Sequence, residues 1–200
     1  MKRYSVEQRV KFYGQAYWDK YAESAPWIGG QSKRMYCWWF LGQDYRSKSG
    51  YYGSYPPQYL NRIMAFYPDV KHEECLHLFS GSLPKGTLGM RVDVNPDTSP
   101  DIIADAHALS HFEIPGPINL ILADPPYSAE DAERYGTIMI KRNIVLRECA
   151  EVLEPGGYLV WLDQALPMYS KATWILWGVI AIMRSTNHRF RCVTILKRRR

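Results

Sequence analysis

The chain lacks the features of secreted, membrane-spanning and metal-stapled proteins. Its four cysteines, Cys37, Cys75, Cys149 and Cys192, are scattered, with no Cys-x-x-Cys pair. That spacing argues against a disulfide framework or a zinc site and suits buried thiols in a reducing cytoplasm; no metal is expected. The ten-residue apolar run Trp174 to Met183 is too short to span a bilayer and is interrupted by Gly178. The N-terminus has no apolar stretch of the kind a signal peptide needs. Internal repeats and low-complexity tracts are also missing. One further absence is local: residues 164–200 contain eight Lys/Arg and no Asp or Glu.

That last gap belongs to an uneven charge distribution. The formal net charge is +5, yet residues 1–50 carry nine basic against four acidic residues and residues 51–163 carry eight against sixteen. Both ends of the chain are therefore suited to a polyanion, and the middle to other work. Aromatic residues are also unevenly placed, with 16 of the 28 Phe/Trp/Tyr residues in the first 60 positions. Lys33-Arg34-Met35-Tyr36-Cys37-Trp38-Trp39-Phe40 mixes cations with rings, and at least one ring of Trp38-Trp39-Phe40 must face a core. Lys33, Arg34, Arg46 and Lys48 are candidates for one wall of a nucleic-acid groove. Arg184, Arg189 and Arg191, on a predicted hairpin, are candidates for the other.

Two hundred residues are enough for a domain with a proper core. Residues 1–70 read as an aromatic-rich N-terminal extension and residues 71–200 as an α/β domain. Ser54-Tyr55-Pro56-Pro57 looks like a helix start with proline in the first turn, and Pro68 looks like its end. Short apolar strands follow: Cys75 to Phe79, Leu88 to Val92, Ile102 to Ala104, Ile118 to Ala123 and Tyr158 to Leu162. Residues 137–153 have helical spacing, with Pro155-Gly156-Gly157 as the stop. Trp174 to Arg184 and Arg189 to Lys197 read as an antiparallel hairpin. This alternation implies a mainly parallel, doubly wound, Rossmann-like sheet ending in a hairpin, with ligands at the carboxyl ends of its strands.

Residues useful to a nucleoside ligand recur at those ends. Phe79-Ser80-Gly81-Ser82 follows the first predicted strand, where glycine permits close approach and loop N–H groups can receive a carboxylate. Asp93 follows the second, placed to accept ribose hydroxyls. Asp105-Ala106 follows the third, where a carboxylate can take an exocyclic amino hydrogen. Asp124-Pro125-Pro126-Tyr127 follows the fourth. The prolines fix φ and have no N–H, so carbonyls and the Asp124 carboxylate face outward as acceptors beside an aromatic ring. That is a slot for a flat, amine-bearing molecule such as a nucleobase.

On these residues, together with Leu76-His77-Leu78 and Val152-Leu153-Glu154-Pro155-Gly156-Gly157, the chain resembles the S-adenosylmethionine-dependent DNA amino-methyltransferases over roughly residues 50–200. The Asp-Pro-Pro-Tyr form is the adenine-N6 type in that family. The resemblance implies S-adenosylmethionine as cofactor, DNA as partner and Asp124, Pro125, Pro126 and Tyr127 as catalytic residues. Tyr55, Pro56, Phe79, Ser80, Gly81, Ser82, Asp93, Asp105 and Ala106 would bind the cofactor. Leu83 stands where the family's first loop has a second glycine. No room is left for a separate target-recognition domain, which also suits a phage or mobile-element origin. RNA bases are the alternative substrate, and a non-catalytic nucleic-acid-binding subunit is the reading from another class. Monomer and homodimer both remain open.

Overall fold

The computed structural model describes residues 1–20, 24–42, 55–56, 58–134, 137–184 and 190–200. Ser5 starts helix α1 (Val6–Tyr17) through a capping box. Its hydroxyl accepts from the Gln8 N–H, and the Gln8 side chain accepts from the Ser5 N–H. Strands β1 (Trp27–Gly29) and β2 (Arg34–Leu41) form an antiparallel pair. Along β2 the side chains alternate, with Met35, Cys37, Trp39 and Leu41 buried and Trp38 and Phe40 outward. One ring of the consecutive aromatic triplet thus enters the core, and its two neighbours cannot.

Helix α2 (Tyr59–Met64) is shorter than its apolar pattern suggested. It starts after Gln58, which is in the left-handed region, and stops before Pro68. Tyr55 and Pro56 lie ahead of it in irregular backbone. Strands β3 (Cys75–Leu78), β4 (Met90–Asp93), β5 (Ile102–Ile103) and β6 (Ile118–Ala123) follow, then helices α3 (Ala129–Arg134) and α4 (Arg142–Val152). Strand β7 (Leu153–Asp163) begins at the residue after α4. Pro155-Gly156-Gly157 therefore lies inside a strand. It is accommodated by an irregular register, with Ile118 opposite Leu153 but Leu120 opposite Tyr158. Strands β8 (Trp174–Arg184) and β9 (Phe190–Arg198) form the expected antiparallel hairpin.

The described strands form one nine-stranded sheet in the order β1-β2-β8-β9-β7-β6-β3-β4-β5. All but β1 and β9 run parallel to one another. Each face carries a core: Tyr13, Tyr59 and Ile63 of α1 and α2 pack on one, Val145, Leu146 and Cys149 of α4 on the other. Helices α1 and α2 and strands β1 and β2 thus belong to the same sheet and core as the later elements, with β2 parallel to β8. All four cysteines are free and buried. No helix among the described residues is long and apolar enough to cross a membrane.

Three groups set an acid limit on this fold. Arg91 bonds Asp101, and Ser110 bonds Glu148, holding both carboxyls below their usual range. Such groups stabilise fully above the unfolded pKa values of about 4 and lose that contribution as pH falls through the folded values. Burial keeps His77 neutral by lowering its pKa, so below about pH 6.5 the unfolded chain gains a proton that the folded chain refuses. Thermal melting is expected to weaken in two stages on acidification, and His77→Gln should remove the first stage.

Candidate active site

Strand β6 is buried to its last residue, and its exit sets the site. Pro125 and Pro126 are buried, and Asp124 and Tyr127 are half-buried. The Tyr127 hydroxyl donates to Asp124 Oδ1 at 2.5 Å. Burial, reinforced by the Asp124 carboxylate, pushes the Tyr127 hydroxyl well above its usual value, so it stays protonated and remains a donor. The Arg191 guanidinium, from the second residue of β9, lies 4.8 Å from the centre of the Tyr127 ring. Burial and the same carboxylate likewise keep Tyr59 protonated.

A clamp that the sequence did not reveal fixes this loop. Arg142, at the start of α4, donates from Nε to Asp163 Oδ2 at 2.7 Å and from Nη2 to the Tyr127 carbonyl at 3.4 Å. Asp163 is buried at the end of β7 and also accepts from Trp161 Nε1 and the Gln164 N–H. One ion pair thus ties β7, α4 and the Asp124–Tyr127 loop together. No spacing rule signals it, because the partners belong to different elements.

The neighbouring exit, that of β3, is strained where it turns. Phe79 adopts φ 59° and Gly81 φ 49°, and a non-glycine residue in that region costs of order 1–3 kcal/mol. Facing this loop is the segment before α2. The Tyr55 hydroxyl lies 3.5 Å from His77 Nδ1, and its ring stacks on Tyr59 with centroids 5.1 Å apart. His77 Nε2 contacts the Leu88 carbonyl at 2.8 Å, which requires the proton on Nε2 and leaves Nδ1 to accept from Tyr55. Gly89, at φ +111°, lets backbone pass against this ring, where a Cβ would come within 2.8 Å of it. Between the two segments is a cleft of about 200 Å³ lined by Tyr55, Pro56, Ser80, Ser82, Leu83 and Pro84 among others. It lies on the β3 side of the point where the chain reverses sheet direction, between β3 and β6, the general ligand position in such sheets.

Two carboxylates expected to face a ligand have structural partners as well. Asp93 Oδ2 accepts from the Gly81 N–H at 2.8 Å and Oδ1 from the Asn95 N–H at 2.9 Å. The glycine-loop N–H is therefore directed at Asp93, a correction to its expected availability for a ligand carboxylate. Asp105 Oδ1 caps the turn at Ala106 by accepting from the His107 N–H, and it also meets His107 Nδ1 at 2.9 Å. His107 Nε2 accepts from the Lys141 N–H, so Nδ1 bears the proton and donates to Asp105. Burial alone would raise the Asp105 pKa, but the bonds from His107 outweigh it and hold the carboxyl low.

The basic residues do not gather into one groove. Arg191 and the backbone of Arg184 lie at the carboxyl end of the sheet with Asp124. Lys33 and Arg34 lie at the opposite end, where β2 begins, and Lys33 is 3.6 Å from Glu7. Arg46, Lys48 and Arg189 are outside the described residues, as is the Arg184 side chain. No group of His, Cys, Asp and Glu among the described residues could hold a metal ion.

Comparison of this sheet with solved structures gives TrmN from Thermus thermophilus, with 18% identity and a TM-score of 0.51, covering 73% of this chain and 50% of that one. The fold is that of the Rossmann-like methyltransferases. The chain spans about half the length of TrmN. The N-methyltransferase NodS from Bradyrhizobium japonicum matches at 12% identity and a TM-score of 0.44, over 63% of this chain and 85% of that one. An rRNA methylase from Streptococcus thermophilus matches at 10% and 0.43, over 66% and 90%. No protein-family model matches the chain, and no curated protein matches it by sequence.

Proposed function

We propose that this methyltransferase fold transfers a methyl group from S-adenosylmethionine to the exocyclic N6 amino group of adenine in DNA. The observation that carries the reading is the Asp124–Tyr127 loop at the β6 exit, held by Tyr127, Arg142 and Arg191 beside the cleft at the β3 exit. S-adenosylmethionine would supply an electrophilic methyl group. Tyr55, Pro56, Ser80 and Ser82 line the cleft that would take it, and Asp93 sits at the neighbouring β4 exit. Phe79, Gly81, Asp105 and Ala106 belong to the same set of strand exits.

An exocyclic amine is a poor nucleophile because its lone pair is delocalised into the ring. The Asp124 carboxylate and the Pro125 carbonyl would accept its two hydrogens and favour a nitrogen with a localised pair. Tyr127, neutral and donating to Asp124, fixes the carboxylate before the base arrives, so orientation and electrostatics are set in advance. A base in a duplex must be flipped to reach this loop, and an unpaired base need not be.

Methyl transfer to adenine-containing DNA and RNA, read as modified nucleosides after digestion, tests the reading. Label in N6-methyladenine from DNA is the expected result. Label from RNA alone would move the substrate to RNA, and no label with either would refute the proposal. Asp93→Ala is expected to raise the cofactor dissociation constant at least tenfold by calorimetry, and an unchanged constant would remove Asp93 from the site.

A further inference from the structure

The sheet face opposite α1 and α2 is covered by α4 near β6 and β7, and no described helix lies over it at β9, β8, β2 and β1. Trp27, Trp38, Phe40 and Phe190 on this face are 54%, 37%, 52% and 47% exposed. Their rings are not scattered. Trp38 lies 6.1 Å from both Phe40 and Phe190, and Trp27 stacks on Tyr36 at 5.8 Å. Val179, Ala181 and Met183 of β8 share the face and are half-buried. The strands set this row. Trp38 pairs with Ala181, which pairs with Cys192, two residues along β9 from Phe190.

Two observations say what covers it. The first is continuity with the candidate active site. Phe190 lies at the carboxyl edge of the sheet beside Arg191, which turns to the other face and lies over Tyr127. Phe190 also lines a polar cavity of about 450 Å³ with Ser128, Glu130, Asp131, Arg134 and Gln164, and Ser128 is the residue after Tyr127. The second is charge. On this face β2 and β9 carry Arg34 and Arg198 and no acidic residue, while Arg191 and Lys197 turn to the other face, Lys197 over the Tyr158 ring. Two copies meeting on this face would bring like charge together, whereas a polyanion meets opposite charge.

We propose that the face is a stacking platform for an unpaired stretch of nucleic acid. One base lies on Phe190, the next reaches Trp38 and Phe40, and the strand runs along β2 toward Tyr36, Trp27 and Arg34. Base–aromatic stacking tolerates any sequence because every base has a π-face. Glu130 and Asp131, in the cavity, suit base amino groups better than phosphates. The direction of travel from Asp124 rests on the proposed function; the platform itself does not.

The test is fluorescence anisotropy with a labelled adenine-containing 12-mer, single-stranded and as a blunt duplex, in DNA and RNA forms, without cofactor. The expected result is tighter binding of the single strand. The double variant Trp38→Ala/Phe190→Ala should weaken it about tenfold to hundredfold, and Trp38→Phe/Phe190→Tyr should restore it. Cofactor affinity by calorimetry and the melting curve check that the double variant is folded. Unchanged binding in the folded double variant overturns the proposal, as does a dimer in sedimentation that Trp38→Ala dissolves. Single-strand binding that depends on these rings in a wild-type chain that methylates nothing would uphold the platform and sink the transfer reading, so the two fail separately.

Discussion

Asp124→Ala is expected to lower the turnover number by ~10³-fold or more while leaving the cofactor dissociation constant within about twofold. The split follows from position. Asp124 lies at the β6 exit, where an amine would be held, and the cleft that would hold the cofactor lies at the β3 exit. A second substitution separates the two functions of the neighbouring ring. Tyr127→Phe keeps the aromatic face under Arg191 but removes the hydroxyl that donates to Asp124 Oδ1. It should cost about tenfold in turnover with little change in nucleic-acid affinity, as expected for loss of one orienting hydrogen bond. Single-turnover transfer and calorimetry measure both quantities. Full activity in Asp124→Ala would place the chemistry elsewhere in the fold.

The second large effect is on stability. Arg142→Ala leaves the buried Asp163 carboxylate without its guanidinium and is expected to cost about 3 kcal/mol. For a chain of this size that lowers the melting temperature by roughly 6–12 °C. The double variant Arg142→Met/Asp163→Leu removes both charges and should recover part of the loss, since Trp161 Nε1 and the Gln164 N–H are left without their acceptor. Its activity should stay low, because the Tyr127 carbonyl still lacks the Arg142 donor. A double variant that is stable and fully active would show that the clamp serves folding alone.

Much of the architecture could be read before the structure. Ile118–Ala123 was expected with the bounds it has, because a strand buried on both faces is an uninterrupted apolar run between turn signals. The β8–β9 hairpin was legible as two apolar runs joined by Ser185-Thr186-Asn187-His188. The first two strands were not. In β2 the inward residues Met35, Cys37, Trp39 and Leu41 alternate with Tyr36, Trp38 and Phe40, which are also apolar, so period-2 contrast is lost. Pro155-Gly156-Gly157 was read as a stop, yet β7 continues through it by bulging. Helix α3 buries only Ala132 and left too faint a stripe to detect.

The candidate site divides in the same way. Residues that carry a local signal, Asp124 to Tyr127 and the loop after β3, were marked in advance. Residues that act through distant partners were not: Arg142 with Asp163, His77 with Tyr55, and Phe190 with Trp38. Their positions depend on which strands become neighbours, and no single segment of the chain holds that information. Arg191 is an intermediate case. The sequence marks it only as one cation among several, and the sheet places it against Tyr127.

The pairing of β2 with β8 has a consequence for how the molecule is made. On its β1 side Met35 pairs early with Ile28, but on its other side Met35 has to wait for Gly178 and Leu41 for Arg184. During synthesis the aromatic strand β2 therefore leaves the ribosome with only the short β1 to pair with, and closing so long a loop is slow. Assembly of this edge is a late event that locks both termini into one structure, so clipping either end should loosen the other.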